Sequence, residues 1–303
     1  MGADCRWLTA ALALIVAFML VELIVGVLAG SLALISDAGH MLTDAASIGL
    51  ALVTIRLAAR PARGRFTFGL KRVEILSAQA NGITLLLLAV WFCYEGVCRL
   101  ISVTKVAGEP VLITGLAGIV VNLAAVWLLS KANRRSLNIE GAFQHILNDL
   151  FAFMATAIAG ALVWATGFVR ADAIAALLVA SLMTRAGWRL VRDSGRIFLE
   201  AAPAGTDPDA IGAEMAALAA VVEVHDLHLW QITSGQPALS AHVLVRQGAA
   251  CHDVRLRLQQ ELRENHGVEH VTLQVDHAPV GGGGDRAEEH CATSHGPVHR
   301  AGE

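Results

Sequence analysis

Residues 34–44 read LISDAGHMLTD and place two aspartates and a histidine inside an apolar stretch that runs from Leu32 to Leu57. A stretch of about 20 apolar residues is long enough to cross a bilayer as a helix. An ionisable side chain at the centre of such a span costs about 2.5–3.5 kcal/mol on insertion scales, so its presence needs a reason. His40 and Asp44 are four residues apart and therefore lie on one face of the predicted helix, one turn apart.

A later apolar stretch repeats this arrangement. Residues 142–149 read AFQHILND, so that His145 and Asp149 also share one helical face. If the two helices face each other, they offer two imidazoles and two carboxylates, from His40, Asp44, His145 and Asp149. Four such ligands suit a tetrahedral zinc ion, which takes histidine nitrogen and carboxylate oxygen at about 2.0–2.2 Å. Without metal the two carboxylates favour protons, which gives a physical basis for exchanging metal against protons.

Each pair has an alternative interpretation as an interhelical hydrogen bond that stabilises a helix bundle. Two pairs with equal spacing in separate spans favour the metal site, because charge inside a membrane is rare. Asp37 lies about 60° from His40 around the helix. Its position leaves two interpretations open, a cap or loop carboxylate near the outer interface or a group for ion entry. We interpret Glu22 and Asn122 as contacts within the bundle and place Glu95 near the outer interface.

The composition of the chain is that of a membrane protein. Of its 303 residues 55% are hydrophobic and 16% are charged, against about 25% charged in a soluble domain. Apolar stretches predict six transmembrane helices, at Trp7–Leu28, Leu32–Leu57, Val73–Cys98, Val111–Leu129, Ile139–Ala165 and Ala171–Leu190. The net charge of −3 gives no basic footprint for nucleic acid.

Basic residues are distributed unequally between the predicted loops. With the N-terminus in the cytoplasm, the inner segments hold about 14 lysines and arginines and the outer loops about three. The inner set includes Arg185, Arg189, Arg192 and Arg196 in and after the last span. The positive-inside rule therefore predicts that both termini are cytoplasmic, which fits an even number of spans.

The composition changes after Glu200, and we assign residues 1–200 to a transmembrane domain and residues 201–280 to a small cytoplasmic α/β domain. Its predicted elements are a helix at 210–218, strands at 226–233 and 239–245, a helix at 254–262 and a strand at 268–275. The turn at residues 234–237 predicts a hairpin, and Asp207 or Asp209 is expected to cap the first helix. The glycine-rich tail at 281–303 is expected to be disordered.

Several blocks of sequence carry a family resemblance. They are ISDAGHMLTD (35–44), RFTFGLKRVEIL (65–76), HILND (145–149), VHDLHLWQITSG (224–235) and LSAHVLV (239–245). Over residues 7–278 the chain resembles the cation diffusion facilitator family, in its zinc-transporting branch with HxxxD in both spans. The resemblance implies six spans, a metallochaperone-like cytoplasmic domain and a homodimer. It also implies zinc export driven by inward proton flow, and an inner or plasma membrane location.

The chain departs from some relatives in its loops and in its C-terminal ligands. The loop at 131–138 lacks histidine, so a long zinc-capturing loop is absent, and the loop between the second and third spans is arginine-rich. The resemblance places cytoplasmic zinc ligands at His225, His242, His252 and Asp276, near the dimer interface. Gln274 stands where some relatives have a ligating histidine, which leaves a second adjacent ion open. The alternative is that these histidines are surface or hydrogen-bonded residues.

Three functions compete at this point. The first is a Zn²⁺/H⁺ antiporter that removes zinc from the cytoplasm, with cadmium and cobalt as other ions that could fit the site. The second is a membrane-bound metal sensor, which would leave the intramembrane ligands unexplained. The third is an intramembrane metalloenzyme, which needs an open metal position and a general base. HExxH is absent from the sequence, so we do not expect an enzyme.

Overall fold

The structure is a computed structural model that describes residues 2–58, 60–130, 137–279 and 296–300. Six long helices come first, α1 Gly2–Ala29, α2 Leu32–Ala58, α3 Val73–Ile101, α4 Gly108–Ser130, α5 Leu137–Thr166 and α6 Arg170–Phe198. Five of these, α1 and α3 to α6, are long and apolar enough over their described residues to cross a membrane. The helix α2 has 27 residues, which is also a sufficient length.

The chain divides into two compact units. The first contains Met1–Arg56 and Leu76–Arg192, and the second contains Leu57–Ile75 and Asp193–Glu303. The second unit therefore includes the segment between α2 and α3 together with the C-terminal domain. The sequence patterns predict this segment only as an arginine-rich loop.

Small residues bring the helices of the first unit close together. The helix α4 packs on α5 and on α1. A Cβ atom added to Gly115 of α4 would lie 2.8 Å from the backbone nitrogen of Ala157 in α5, and one added to Gly187 of α6 would lie 2.9 Å from the carbonyl oxygen of Gly82 in α3. Such close approach is the usual means of packing helices in a membrane, because apolar side chains gain little when they exchange contact with lipid for contact with another helix.

A carboxylate of α6 holds the first turn of α2. Asp172 is 1% exposed and accepts hydrogen bonds from the Ser31 hydroxyl and from the Leu32 amide, the latter at 2.8 Å. The first amides of a helix have no partner within the helix, so this carboxylate acts as a cap supplied from another helix. Arg99 of α3 donates to the Gly30 carbonyl at 2.6 Å. These contacts fix the start of α2, about two turns before His40.

The C-terminal domain contains two helices and a four-stranded sheet. Its elements are α7 Pro208–Ala216, β1 Val221–Thr233, β2 Gln236–Val245, α8 Cys251–His266, β3 His270–His277 and β4 His299–Arg300. The strand order is β3-β2-β1-β4, with β1 antiparallel to both β2 and β4, and β2 parallel to β3. Leu258 and Leu262 of α8 pack in a buried cluster with Val224, Leu239 and Val243 of the sheet. The predicted α-β-β-α-β order is confirmed.

The boundaries of these elements differ from those predicted. Both strands of the hairpin are longer than predicted, because β1 begins at Val221 and β2 begins at Gln236. The early start of β2 depends on Gly235, whose φ of +71° allows a tight two-residue turn between Thr233 and Gln236. Asp207 is the cap of α7 and accepts from the Asp209 amide at 3.0 Å. Most of the tail lies outside the described residues, but His299 and Arg300 pair with β1, a contact that the sequence does not predict.

The segment before α3 contacts the hairpin and the linker of the C-terminal domain. The Lys71 ammonium donates to Gln236 Oε1 at 2.8 Å, and the Thr233 hydroxyl donates to the Lys71 carbonyl at 3.2 Å. Arg72 forms an ion pair with Glu200 at 3.0 Å. These polar contacts explain why residues 57–75 belong to the second compact unit.

Candidate metal centre

One histidine and one aspartate from the two HxxxD motifs meet between α2 and α5. His40 Nε2 lies 3.3 Å from Asp149 Oδ1, and the two side chains are only 8% and 14% exposed. Two ligands at about 2.0–2.1 Å on neighbouring corners of a tetrahedral ion are separated by about 3.3 Å. A direct N–H···O hydrogen bond is usually shorter, near 2.9–3.0 Å. The separation is compatible with two ligands of one ion, and also with an ion pair between the two helices.

An apolar cluster around this pair holds the two helices in position. It consists of Phe18, Met19, Ala38, Met41 and Phe153. Ala38 and Met41 flank His40 on α2, and Phe153 lies one turn after Asp149 on α5. The rings of Phe18 and Phe153 meet edge to face with centroids 5.8 Å apart. Packing between α1, α2 and α5 thus places the imidazole and the carboxylate opposite each other.

The other two predicted ligands belong to the same helices. Asp44 lies in α2 and His145 lies in α5, but their side chains are outside the described residues. Two spans, α3 and α4, lie between α2 and α5, and helices with an even number of spans between them cross a membrane in opposite directions. Asp44, one turn after His40, is therefore expected to be level with His145, one turn before Asp149. Their participation in the site stays a prediction.

Two further carboxylates of the helix bundle, Asp37 and Glu22, are deeply buried. Asp37 is 1% exposed and lies in the second turn of α2, whose first turn is held by Asp172 instead. Asp37 is therefore not the cap of this helix. Glu22 of α1 is 0% exposed, in agreement with its interpretation as a contact within the bundle.

A cavity of about 330 Å³ adjoins the pair. It is lined by His40, Asp149, Phe151, Ala152, Leu182, Arg185, Ala186 and Arg189. The sequence patterns place the two arginines only in the basic inner segments. Their spacing of four residues, which puts both on one face of α6, is the sequence signal for their shared position.

In the C-terminal domain two of the predicted ligands form a cross-strand pair. His225 of β1 and His242 of β2 are directly opposite in register, and their ring centroids are 5.4 Å apart. Gln274 of β3 is in register with His242, and Asp276 follows two residues later. Residues with these relations share one face of a sheet. One face therefore carries His225, His242 and Asp276.

Each of these side chains also contacts a neighbour within the domain. His225 Nδ1 lies 3.1 Å from Glu223 Oε1, and Asp276 Oδ2 accepts from the Gln274 amide at 3.0 Å. His252, at the start of α8, lies 3.4 Å from Arg255. Among the residues that the structure describes, no three His, Cys, Asp or Glu side chains are close enough to hold one metal ion.

A bulge in β1 brings in two polar residues that the sequence analysis did not select as ligands. The pairing register shifts between His225 and His228, and Asp226 there has a positive φ of +51°. The Asp226 carboxylate lies 3.0 Å from His228 Nε2 and 3.9 Å from His242 Nε2. The run HDLH is the sequence signal for this cluster.

Comparison with known protein families identifies both parts of the chain. The cation efflux transmembrane domain matches residues 8–199, and the cation efflux protein cytoplasmic domain matches residues 203–278. The chain belongs to the cation efflux family. These are the cation diffusion facilitators that the motifs resemble, so that resemblance is confirmed. A cation efflux protein is a multi-pass membrane transporter, in agreement with the apolar helices α1 and α3 to α6.

Similar cation efflux proteins match over nearly their whole length. The cadmium, cobalt and zinc/H⁺-K⁺ antiporter of Bacillus subtilis (strain 168) is 36% identical over 91% of this chain and 90% of that protein. The zinc transporter ZitB of Escherichia coli (strain K12) is 34% identical over 92% and 90%. The metal-bound C-terminal domain of the CzcD transporter from Cupriavidus metallidurans is 31% identical, and covers 23% of this chain and 97% of that domain with a TM-score of 0.22.

Proposed function

We propose that this cation efflux protein exports zinc from the cytoplasm in exchange for protons. The ion would bind between α2 and α5, at His40, Asp44, His145 and Asp149. The observation that carries this proposal is the 3.3 Å separation of His40 Nε2 and Asp149 Oδ1 in a buried position. That separation is the one expected of two ligands on a tetrahedral zinc ion.

Charge balance supports protons as the counter-ion. Two carboxylates and two neutral imidazoles cancel the charge of a bound Zn²⁺. When the ion leaves, two negative charges would remain in a low-dielectric site, where protonation is favoured. Exchange of one ion for protons therefore keeps the net charge of the site near zero. The name of the Bacillus subtilis antiporter, which includes H⁺ and three metals, agrees with this coupling.

We further propose that the C-terminal domain binds zinc and forms a homodimer. His225 and His242 supply two nitrogens on one face of the sheet, with His252 and Asp276 as further ligands. Within one copy, no three of these groups among the described residues lie close enough to hold one ion, and a second copy of the domain can supply the missing ligands. In this arrangement both termini lie in the cytoplasm and the protein lies in the inner or plasma membrane.

Zinc flux into proteoliposomes tests the transport proposal. The purified chain is reconstituted, and zinc uptake is measured with and without a pH gradient. We expect flux that rises with the gradient in the wild type, and a loss of more than about tenfold in Asp149→Asn, because an uncompensated charge then remains in a buried site. Glu109→Gln removes an exposed carboxylate in the first turn of α4 and is the control.

Two results would contradict the proposal. Transport near the wild-type rate in Asp149→Asn would remove this residue from the site. Zinc binding by the wild type without any flux would favour the sensor instead.

A further inference from the structure

Two permanent positive charges line the cavity beside His40 and Asp149. Arg185 and Arg189 are four residues apart on α6, and both contribute to the wall of the 330 Å³ cavity. The other lining residues, Phe151, Ala152, Leu182 and Ala186, carry no charge. Among the lining residues that the structure describes, and with His40 neutral, the charged groups are the Asp149 carboxylate and the two guanidinium groups.

Positive charge in the wall of a cavity beside a proposed divalent-cation site is unexpected. Guanidinium groups stay charged at every physiological pH, so they cannot be neutralised when the ion enters. A like charge in the cavity wall raises the energy of the bound ion, although both arginine side chains are exposed and water screens part of the effect. An arginine inside a membrane domain is also costly, and it usually faces a water-filled cavity or an acidic partner.

We propose that Arg185 and Arg189 are fixed counter-ions of the transport site, an inference that rests on the proposed function. Their guanidinium groups stabilise the Asp149 carboxylate in the interval between release of the ion and protonation. They also oppose the bound ion, so that its affinity stays low enough for release. The long, flexible arginine stem allows the charged head to approach the carboxylate or to withdraw from it. The two arginines thereby balance tight binding against turnover.

Substitutions that remove the positive charge test this role. Zinc binding is titrated on the full-length protein at fixed pH, and the transport site is identified as the class of sites lost in Asp149→Asn. We expect Arg185→Gln to tighten zinc binding at this site by about tenfold, because one opposing charge is removed. Transport should show a lower KM and a lower maximal rate, since the ion is released more slowly.

Two further variants separate charge from structure. Arg185→Lys keeps the charge and should retain the wild-type affinity and rate. Arg192→Gln changes an exposed arginine of the same helix outside the cavity lining, and it should leave both unchanged. Because the effect depends on charge, Arg185→Gln should tighten the binding of zinc, cadmium and cobalt by a similar factor.

The outcomes distinguish this inference from the proposed function. If Asp149→Asn loses the site but Arg185→Gln and the double variant with Arg189→Gln bind zinc as the wild type does, the counter-ion role is refuted and the transport site stands. Weaker zinc binding in Arg185→Gln would also refute the counter-ion role, if neither Arg185→Lys nor a lower temperature restores the wild-type affinity. If Asp149→Asn removes no zinc site, the proposed function itself fails.

Discussion

His40 Nε2 and Asp149 Oδ1 lie 3.3 Å apart, although they belong to helices separated by two other spans. No local sequence feature connects them, so their meeting depends on how α2 and α5 are held. The start of α2 is fixed by Asp172 of α6, and α5 is packed tightly on α4 at Gly115. Changes at these supports should therefore alter the site without touching it.

The cap of α2 is the first support to test. In Asp172→Asn the amide offers one acceptor oxygen, so that one of the hydrogen bonds from Ser31 and Leu32 is lost. A buried donor left without a partner costs about 1–3 kcal/mol. We expect a lower melting temperature in detergent and weaker zinc binding at the transport site. Asp193→Asn, an exposed residue of the same helix, is the control. Wild-type stability in Asp172→Asn would show that this cap is not needed.

Helix packing on α5 is the second support. Gly115→Ala adds a Cβ atom that would lie 2.8 Å from the Ala157 nitrogen, so α4 and α5 must separate. Overpacking of this kind costs about 1–3 kcal/mol. Gly195→Ala is a matched control, because nothing lies within 4 Å of its added Cβ. Alanine there should stabilise α6 slightly through its higher helix propensity. Equal melting temperatures for the two variants would contradict the packing argument.

The helical spans, and the shared helical face of the two residues within each HxxxD motif, could be predicted because both depend on local periodicity. A histidine and an aspartate four residues apart share a face in any helix, and a polar residue in an apolar span points inward. The cytoplasmic domain was predicted for the same reason, from strands that alternate at period two. The ends of its strands were not predicted, because β1 continues through the irregular bulge at Asp226.

Contacts between distant segments could not be predicted from such patterns. The bond from Thr233 to Lys71 joins the hairpin to the segment before α3, and nothing in either sequence specifies the partner. The same holds for Asp172, which reads as an ordinary acidic residue at the start of a span but caps another helix. The positive-inside rule already predicts Arg185 and Arg189 as part of a basic inner segment, so their place in the cavity wall has no separate signal beyond their spacing.

Zinc binding should depend strongly on pH. The histidines of the site must be neutral to bind metal, and imidazole in water has a pKa near 6.5. Raising the pH removes competing protons, so we expect zinc affinity and transport to rise from about pH 6 to about pH 8 on the binding side. Calorimetry in buffers of different ionisation enthalpy should reveal proton release. Equal apparent enthalpies in all buffers would argue against proton-coupled exchange.

Metal selectivity should respond to the identity of residue 40. Zinc is small and prefers a compact four-coordinate site of imidazole and carboxylate. His40→Asp introduces a third carboxylate, which adds negative charge and a ligand that can bind through one or both oxygens. Cadmium is larger and less restricted to four ligands, so the variant should transport more cadmium relative to zinc than the wild type does. Uptake of both ions is compared at matched amounts of folded protein. If a folded, active variant keeps the wild-type cadmium-to-zinc ratio, His40 does not determine selectivity, and its contact with Asp149 serves the packing of α2 on α5 instead.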